Sequence, residues 1–252
     1  MTVKSSVQRL VRRLGWEVRP ITTANIEQQV VKDVLKFTGV EIVLDVGANS
    51  GQWAELVFET GFSGKLISFE PIPNVHATLV ARARRRGASW EVAPCAALGS
   101  ERGHVEFNIS ANAQSSSVLP MRREHVEAAP QSAYVGKQTV AVERLDDLAS
   151  GFLPPKGDLM IKIDTQGYEM HVLKGATGLL HRVVAMQLEL SLVALYEGAP
   201  TFSEMLSYMQ SIGFEVFNIV PVFRDKRTGR VLQVDGYFVR ADRIPGRLSS
   251  GG

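Results

Sequence analysis

Apolar and polar positions follow two periods along this chain, and the two take turns. Short apolar runs that fit buried strands are separated by stretches in which apolar residues recur at helical spacing. Ahead of the first run, Val7, Leu10, Val11 and Leu14 form one helical stripe, and Ile26, Val30, Val34 and Phe37 form a second. From Glu41 the pattern predicts a strand ending at Val46, a helix from Gln52 to Thr60, a strand from Leu66 to Glu70 and a helix from Asn74 to Arg86. A third strand is predicted from Trp90 to Ala97, followed by two extended pieces, His104 to Ile109 and Thr139 to Val142.

The second half repeats the alternation. Asp158 to Asp164 reads as a buried strand, Glu169 to Leu180 as a helix, and Val183 to Leu190 as a strand with Gln187 and Glu189 on one face. A helix from Phe202 to Ile212 precedes two closing strands, Phe214 to Val220 and Gly236 to Arg240. The turn-rich Arg224 to Gly229 connector makes those two an antiparallel hairpin. The prediction is an α/β fold: a Rossmann-like, mostly parallel seven-stranded sheet closed by an antiparallel hairpin. Residues 1–38 form a helical extension, 39–242 the main domain, and 243–252 a flexible tail. Between Ser110 and Lys137 the polarity is mixed, with Ser115, Ser116 and Ser117 in a row, and this insertion (about 110–138) is expected to act as a lid.

Composition narrows the partners more than the chemistry. The 252 residues are 45% hydrophobic, enough for one α/β domain with a full core. A net charge of +2 gives no case for nucleic acid, and Arg82, Arg84, Arg85 and Arg86 complement the dipole at a helix end. The single cysteine, Cys95, excludes an internal disulfide framework. With no membrane-spanning run and no signal peptide pattern, a cytoplasmic protein is expected. Lys4, Arg9, Arg12 and Arg13 around the first stripe make peripheral membrane contact through a basic helix a candidate. Oligomeric state is left open.

The chemistry starts where the first strand ends. Glu41-Ile-Val-Leu-Asp-Val-Gly-Ala-Asn-Ser-Gly51 carries an apolar strand into an acid and then into a glycine turn, the place where open α/β sheets bind cofactors. Gly47 and Gly51 let the backbone approach a ligand, and Asn49 tolerates a left-handed turn. The turn does not read G-x-G-x-x-G, so a pyrophosphate cradle is disfavoured. Asp45 before the first glycine suits a cofactor with a cationic group, such as the amino acid end of S-adenosylmethionine. Glu70, at the tip of the next strand, stands where a carboxylate can hold a ribose diol.

Several separated pieces resemble the FkbM-type S-adenosylmethionine-dependent methyltransferases. They are Asp45-Val-Gly-Ala-Asn-Ser-Gly51, Phe69-Glu-Pro-Ile-Pro73, Ala97-Leu-Gly99, Leu145-Asp-Asp147, Lys162-Ile-Asp-Thr-Gln-Gly-Tyr-Glu169 and Val172-Leu-Lys-Gly-Ala176. Where many members read Asp-Val-Glu-Gly, this chain has Asp164-Thr-Gln-Gly167, so no carboxylate role carries over to position 166. The resemblance implies O-methylation of a hydroxyl, usually on a sugar or a natural-product scaffold, with a glycoside or glycolipid as acceptor. It implies that Asp45, Gly47 and Gly51 flank the methionine part of the cofactor and that Glu70 holds the ribose. Ala96 and Ala97 would lie near adenine, and Asp164 and Gln166 would face the transferred methyl and the acceptor.

An alcohol is a weak nucleophile until a base or a Lewis acid helps it. Asp164 and Glu189 end neighbouring strands and are the leading candidates, with His171 the best placed histidine and His125 in the lid as another. No His-x-x-x-His or cysteine cluster supports zinc, while a Mg²⁺ site built from carboxylates stays open. Two alternatives remain at this point. One is a non-catalytic cofactor-binding relative, and the other is an NAD-dependent sugar-modifying enzyme.

Overall fold

The computed structural model describes residues 23–245. Helix α1 (Thr23–Thr38) leads into β1 (Ile42–Val46), α2 (Gln52–Glu59), β2 (Lys65–Phe69), α3 (Pro73–Arg86) and β3 (Trp90–Val92). A middle section contains β4 (Ala97–Leu98), β5 (Gly103–Ser110), α4 (Arg123–Ala128), β6 (Tyr134–Glu143) and α5 (Leu145–Ser150). The chain closes with β7 (Leu159–Ile163), α6 (Glu169–Lys174), β8 (Val183–Ser191), α7 (Phe202–Ser211), β9 (Phe214–Arg224) and β10 (Val231–Arg240).

Seven strands form one sheet in the order β3-β2-β1-β7-β8-β10-β9. Every pairing from β3 to β8 is parallel, and β10 runs antiparallel to both β8 and β9. Strands β1 and β7 are buried along their whole length, as strands covered on both faces must be. One face packs Leu44, Ile161 and Leu188 against α5, α6 and α7. The other packs Val43, Met160 and Ala185 against Val30, Val31 and Val34 of α1, together with α2 and α3. Strand order reverses between β1 and β7, which opens a crevice at their carboxyl ends.

The middle section departs from expectation. The strand predicted from Trp90 to Ala97 is two strands: β3 ends at Val92, and β4 joins a separate three-stranded sheet, β4-β6-β5. Ala93 still donates to the Ser68 carbonyl at 3.0 Å, Pro94 has no N–H to continue the ladder, and His76 Nε2 contacts the Ala93 carbonyl at 2.8 Å. The predicted lid is a folded cover. It contains α4 and a short 3₁₀ turn, and its last residues are the start of β6. Leu119, Met121 and Ala128 pack beside Leu195 and Tyr196, and the Ser117 hydroxyl donates to the Gln166 carbonyl at 2.7 Å. The helix after β7 stops at Lys174, short of the expected Leu180, where Gly175 approaches the Gly99 carbonyl so closely that no side chain fits.

Helix α1 is part of the domain rather than an appendage to it. Val30, Val31 and Val34 are its buried stripe, while Ile26 and Phe37, expected in that stripe, are exposed. The first predicted helix, Val7 to Leu14, lies outside the described residues. At the other end, Arg243 pairs with Asp158 at 2.9 Å and Ile244 packs on the core, both within the span expected as tail.

Candidate active site

A cavity of about 660 Å³ lies over the carboxyl ends of β1, β2, β7 and β8 and beside β10. That volume is near the middle of the usual range for ligand sites. One half is walled by Gly47, Ala48, Asn49, Glu70, Ala96 and Ala97, and the other by Asp164, Gln166, Gln187, Glu189, Gln233 and Asp235. The cover contributes Ser115, Ser116 and His125, and α1 contributes Glu27.

The turn after β1 is tight and internally satisfied. Gly47 and Asn49 have φ of 72° and 49°, and a Cβ on Gly47 would overlap the Asp164 carbonyl oxygen. The glycine therefore lets the tips of β1 and β7 touch. Each N–H from Gly47 to Gly51 already has a protein acceptor. Gly47 and Ala48 donate to Phe69 O, Asn49 to Glu70 Oε2, Ser50 to Asn49 Oδ1 and Gly51 to Ala48 O. A pyrophosphate would find no free donor there.

Glu70 closes this half. Its two oxygens accept from the Asn49 and Ile72 N–H groups, both at 2.9 Å, and its carboxyl is pushed up to about 7 by burial against those bonds. Two expected cofactor contacts sit elsewhere. Asp45 is fully buried beneath the floor, held by Ser68 Oγ at 3.3 Å and Lys162 Nζ at 3.4 Å. Gly51 faces away from the cavity: at φ 89° it caps α2, and a Cβ there would meet the Trp90 ring at 2.6 Å. Its role is packing.

The other half is organised by Gln166, which adopts φ 57° although it is not glycine. Its Nε2 donates to Asp164 Oδ1 at 2.8 Å and to Glu189 Oε2 at 2.7 Å, and its Oε1 accepts from the Tyr196 hydroxyl. Glu189 also accepts from Gln233 Nε2 at 2.8 Å. Burial first, then the charges of Asp164 and Glu169, hold the Glu189 carboxyl well above its usual range. Asp164 keeps more than a third of its side chain exposed and sits 3.4 Å from Lys162 Nζ. Burial works against the Lys162 ammonium, yet Asp164 and Asp45 beside it keep the group charged.

Expected and observed candidates differ in one more place. His171 lies on α6 outside the cavity wall, stacked on Tyr168 at 4.1 Å. Glu169 is buried and organises the turn after β7, accepting from the Thr165 and Gly167 N–H groups at 3.0 Å. His125 does line the cavity, packed against Tyr196 and Phe223, and burial lowers it to about 4, so its ring is neutral. The sequence pattern gave no site role to Glu27, Gln233, Asp235 or Tyr196. The available signal was polar alternation on facing strands: Gln187 and Glu189 on β8 answer Gln233 and Asp235 on β10, where every position from Leu232 to Val239 is buried.

For a metal the donor set does not fit. The Gln166 amide stands between Asp164 and Glu189, where a bridging cation would need an oxygen ligand. Among the described residues no group of three or more His, Cys, Asp or Glu side chains is arranged to hold an ion.

Strand order and the crevice define a Rossmann-like methyltransferase fold. The chain belongs to the FkbM methyltransferase family, with residues 45–216 matching the methyltransferase FkbM domain. It is similar to the 2-O-methyltransferase NoeI of Sinorhizobium fredii, 27% identical over 240 residues that cover 90% of this chain and 92% of that protein. Solved structures it resembles include an rRNA methylase from Streptococcus thermophilus (10% identity, TM-score 0.46, 88% of this chain and 99% of that one). Another is precorrin-6y C5,15-methyltransferase from Geobacter metallireducens (13% identity, TM-score 0.44, 84% and 86%). No helix among the described residues is long and apolar enough to cross a membrane.

Proposed function

We propose that this protein is an S-adenosylmethionine-dependent O-methyltransferase that acts on a hydroxyl of a sugar carried by a glycoside or glycolipid. The observation that carries the cofactor reading is the β1 turn. All its N–H groups are consumed, while the acidic groups nearest the turn are Glu70 and Asp164 and the cavity is lined by one ammonium, that of Lys162. Such a site suits a sulfonium and an ammonium and opposes a dinucleotide phosphate. Glu70 would hold the ribose, and Ala96 and Ala97 offer a small apolar wall for the adenine.

When bound, the cofactor supplies a methyl group on a positively charged sulfur, to be displaced in line by the acceptor oxygen. This chain's part is to hold that oxygen and take its proton. Asp164 is fixed on one side by Gln166 and on the other by Lys162, with an exposed carboxylate edge facing the cavity. Asp164 would accept the hydroxyl proton. Glu189, held high by its surroundings, would stay protonated and donate a hydrogen bond to the acceptor. The amide, serine and carboxylate groups of this half match a polyhydroxylated acceptor, and NoeI is itself named a 2-O-methyltransferase.

Calorimetry tests the cofactor. S-adenosylmethionine and its demethylated product should bind, NAD should not, and Glu70→Ala should weaken binding by about 1–3 kcal/mol. NAD binding with no response to S-adenosylmethionine contradicts the proposal.

A further inference from the structure

We infer that the end of the cavity formed by Glu27, Gln187 and Asp235 is a subsite for a hydroxyl neighbouring the one that is methylated, so that the enzyme reads an uncharged vicinal diol. The inference rests on the glycoside reading above and extends it to a part of the site that the transfer itself does not use.

The register of the sheet places the subsite. Ser68, Asp45, Lys162, Gln187 and Tyr237 are successive partners across five strands and form a polar row above the apolar core on the α1 face. One step nearer the mouth, Asp235 stands opposite Glu189 on the adjacent strand. Residues opposite each other in an antiparallel pair are about 5 Å apart. An acceptor whose reacting oxygen lies at Asp164 and Glu189 therefore brings the next hydroxyl of its ring toward Asp235 and Gln187.

Those residues are prepared for a ligand. Gln187 is only 2% exposed, yet it lines the cavity. Its Nε2 donates to Asp235 Oδ2 at 3.0 Å, while its Oε1 has no hydrogen-bond partner. The hydroxyl of Tyr237, its partner in register, is also unmatched. Buried polar atoms are rarely left so unless something absent from the protein completes them. A sugar hydroxyl can donate to Gln187 Oε1, and a second can donate to the carboxyls of Asp235 or Glu27. Those two carboxyls are themselves held above their usual range by burial. Phosphate or carboxylate groups on the acceptor would bring a negative charge against the Asp235 and Glu27 carboxyls, which a neutral hydroxyl avoids.

The test uses the full chain, methyl-labelled S-adenosylmethionine and a panel of p-nitrophenyl hexopyranosides, each paired with its monodeoxy analogue lacking the hydroxyl next to the methylated one. Wild type should lose about 10–100-fold in kcat/KM on the deoxy partner, the scale of one or two buried hydrogen bonds. Gln187→Leu and Asp235→Asn should bring the parent down toward the deoxy analogue. Each should lose little more on the analogue itself, with cofactor affinity held within about twofold. Asp235→Asn changes only one atom and gives the same reading if Gln187→Leu does not fold. Equal rates on parent and deoxy glycosides overturn the inference and leave the proposed function standing. Weakened S-adenosylmethionine binding in either variant overturns it too, by assigning these residues to the cofactor. If the cofactor binds and no glycoside is methylated, the acceptor class is wrong and the subsite falls with it.

Discussion

Replacing Gln166 by leucine keeps the side chain's size and removes one amide that serves three groups. Its Nε2 bonds to Asp164 and Glu189, at 2.8 and 2.7 Å, are bonds to carboxyl groups in a mostly buried setting. Bonds of this kind contribute about 1.5–3 kcal/mol each when the partner is charged. Asp164 is partly exposed, so the lower end of that range applies to it. The Glu189 carboxyl is held well above its usual range and keeps its bond from Gln233, so about 1 kcal/mol applies there. Tyr196 loses its near acceptor and is left with the Ser115 carbonyl at 3.4 Å. Gln166→Leu should therefore cost about 2–4 kcal/mol in urea unfolding at neutral pH. Turnover should fall about tenfold or more because Asp164 is no longer pinned, with cofactor affinity nearly unchanged. Gln166→Glu is the sharper partner. It removes the donors and puts a third carboxyl between two others, so it should be less stable than the leucine variant at pH 7.5. Its carboxyl would be raised in the folded state, so the deficit should shrink as pH falls through that raised value and the protonated group donates again. Stability within about 0.5 kcal/mol of wild type for Gln166→Leu, with unchanged turnover, would refute the reasoning.

Three further outcomes follow from the site. Gly47→Ala should lose at least about 2 kcal/mol of stability by thermal or urea unfolding, from the left-handed φ and the overlap with the Asp164 carbonyl, and cofactor binding with it. A wild-type response would show that the tips of β1 and β7 have room to part. Glu70 reaches about 7 in the folded protein against 4.5 ordinarily, so its buried charge costs nothing below pH 4.5 and most above pH 7. If the ribose prefers the ionised form, calorimetric affinity for S-adenosylmethionine should be about tenfold weaker at pH 6 than at pH 8, and a flat profile would remove Glu70 from the cofactor. Activity should survive a chelator, because the Gln166 amide occupies the place between the two carboxyls; loss with EDTA and recovery with Mg²⁺ would contradict that.

The frame of this protein is legible in its sequence because both of its signals are local. Apolar runs ending in Asp45, Glu70 and Asp164 mark strands whose tips meet at one edge, and β1, β2, β7 and β8 lie within a residue or two of where periodicity puts them. What escapes notice depends on register or on non-local contact. Nothing in the local pattern says that Asp45 lies beneath the floor rather than in it; the Lys162 ammonium that holds it comes from more than a hundred residues away. Gly51 has the look of a ligand glycine, but Trp90 sets its size. His171 has helical neighbours that could have aimed it at the cavity, and stacking on Tyr168 turns it out. Glu27 reaches the site only because α1 lies across the sheet, a packing decision made by Val30, Val31 and Val34. Gln187 and Glu189 are visible on one face of β8, but their β10 partners required the antiparallel register that puts Asp235 opposite Glu189.

The central claim is methyl transfer to a sugar hydroxyl with Asp164 as proton acceptor. Its most direct test is incubation with methyl-labelled S-adenosylmethionine and a glycoside panel, with products identified by mass and linkage, for wild type and Asp164→Asn side by side. The account predicts a methyl ether on a ring hydroxyl from wild type. Asp164→Asn should fold and bind the cofactor as before while transferring about 10²-fold more slowly or worse. Transfer to nitrogen or carbon, or a full rate from Asp164→Asn, would contradict it.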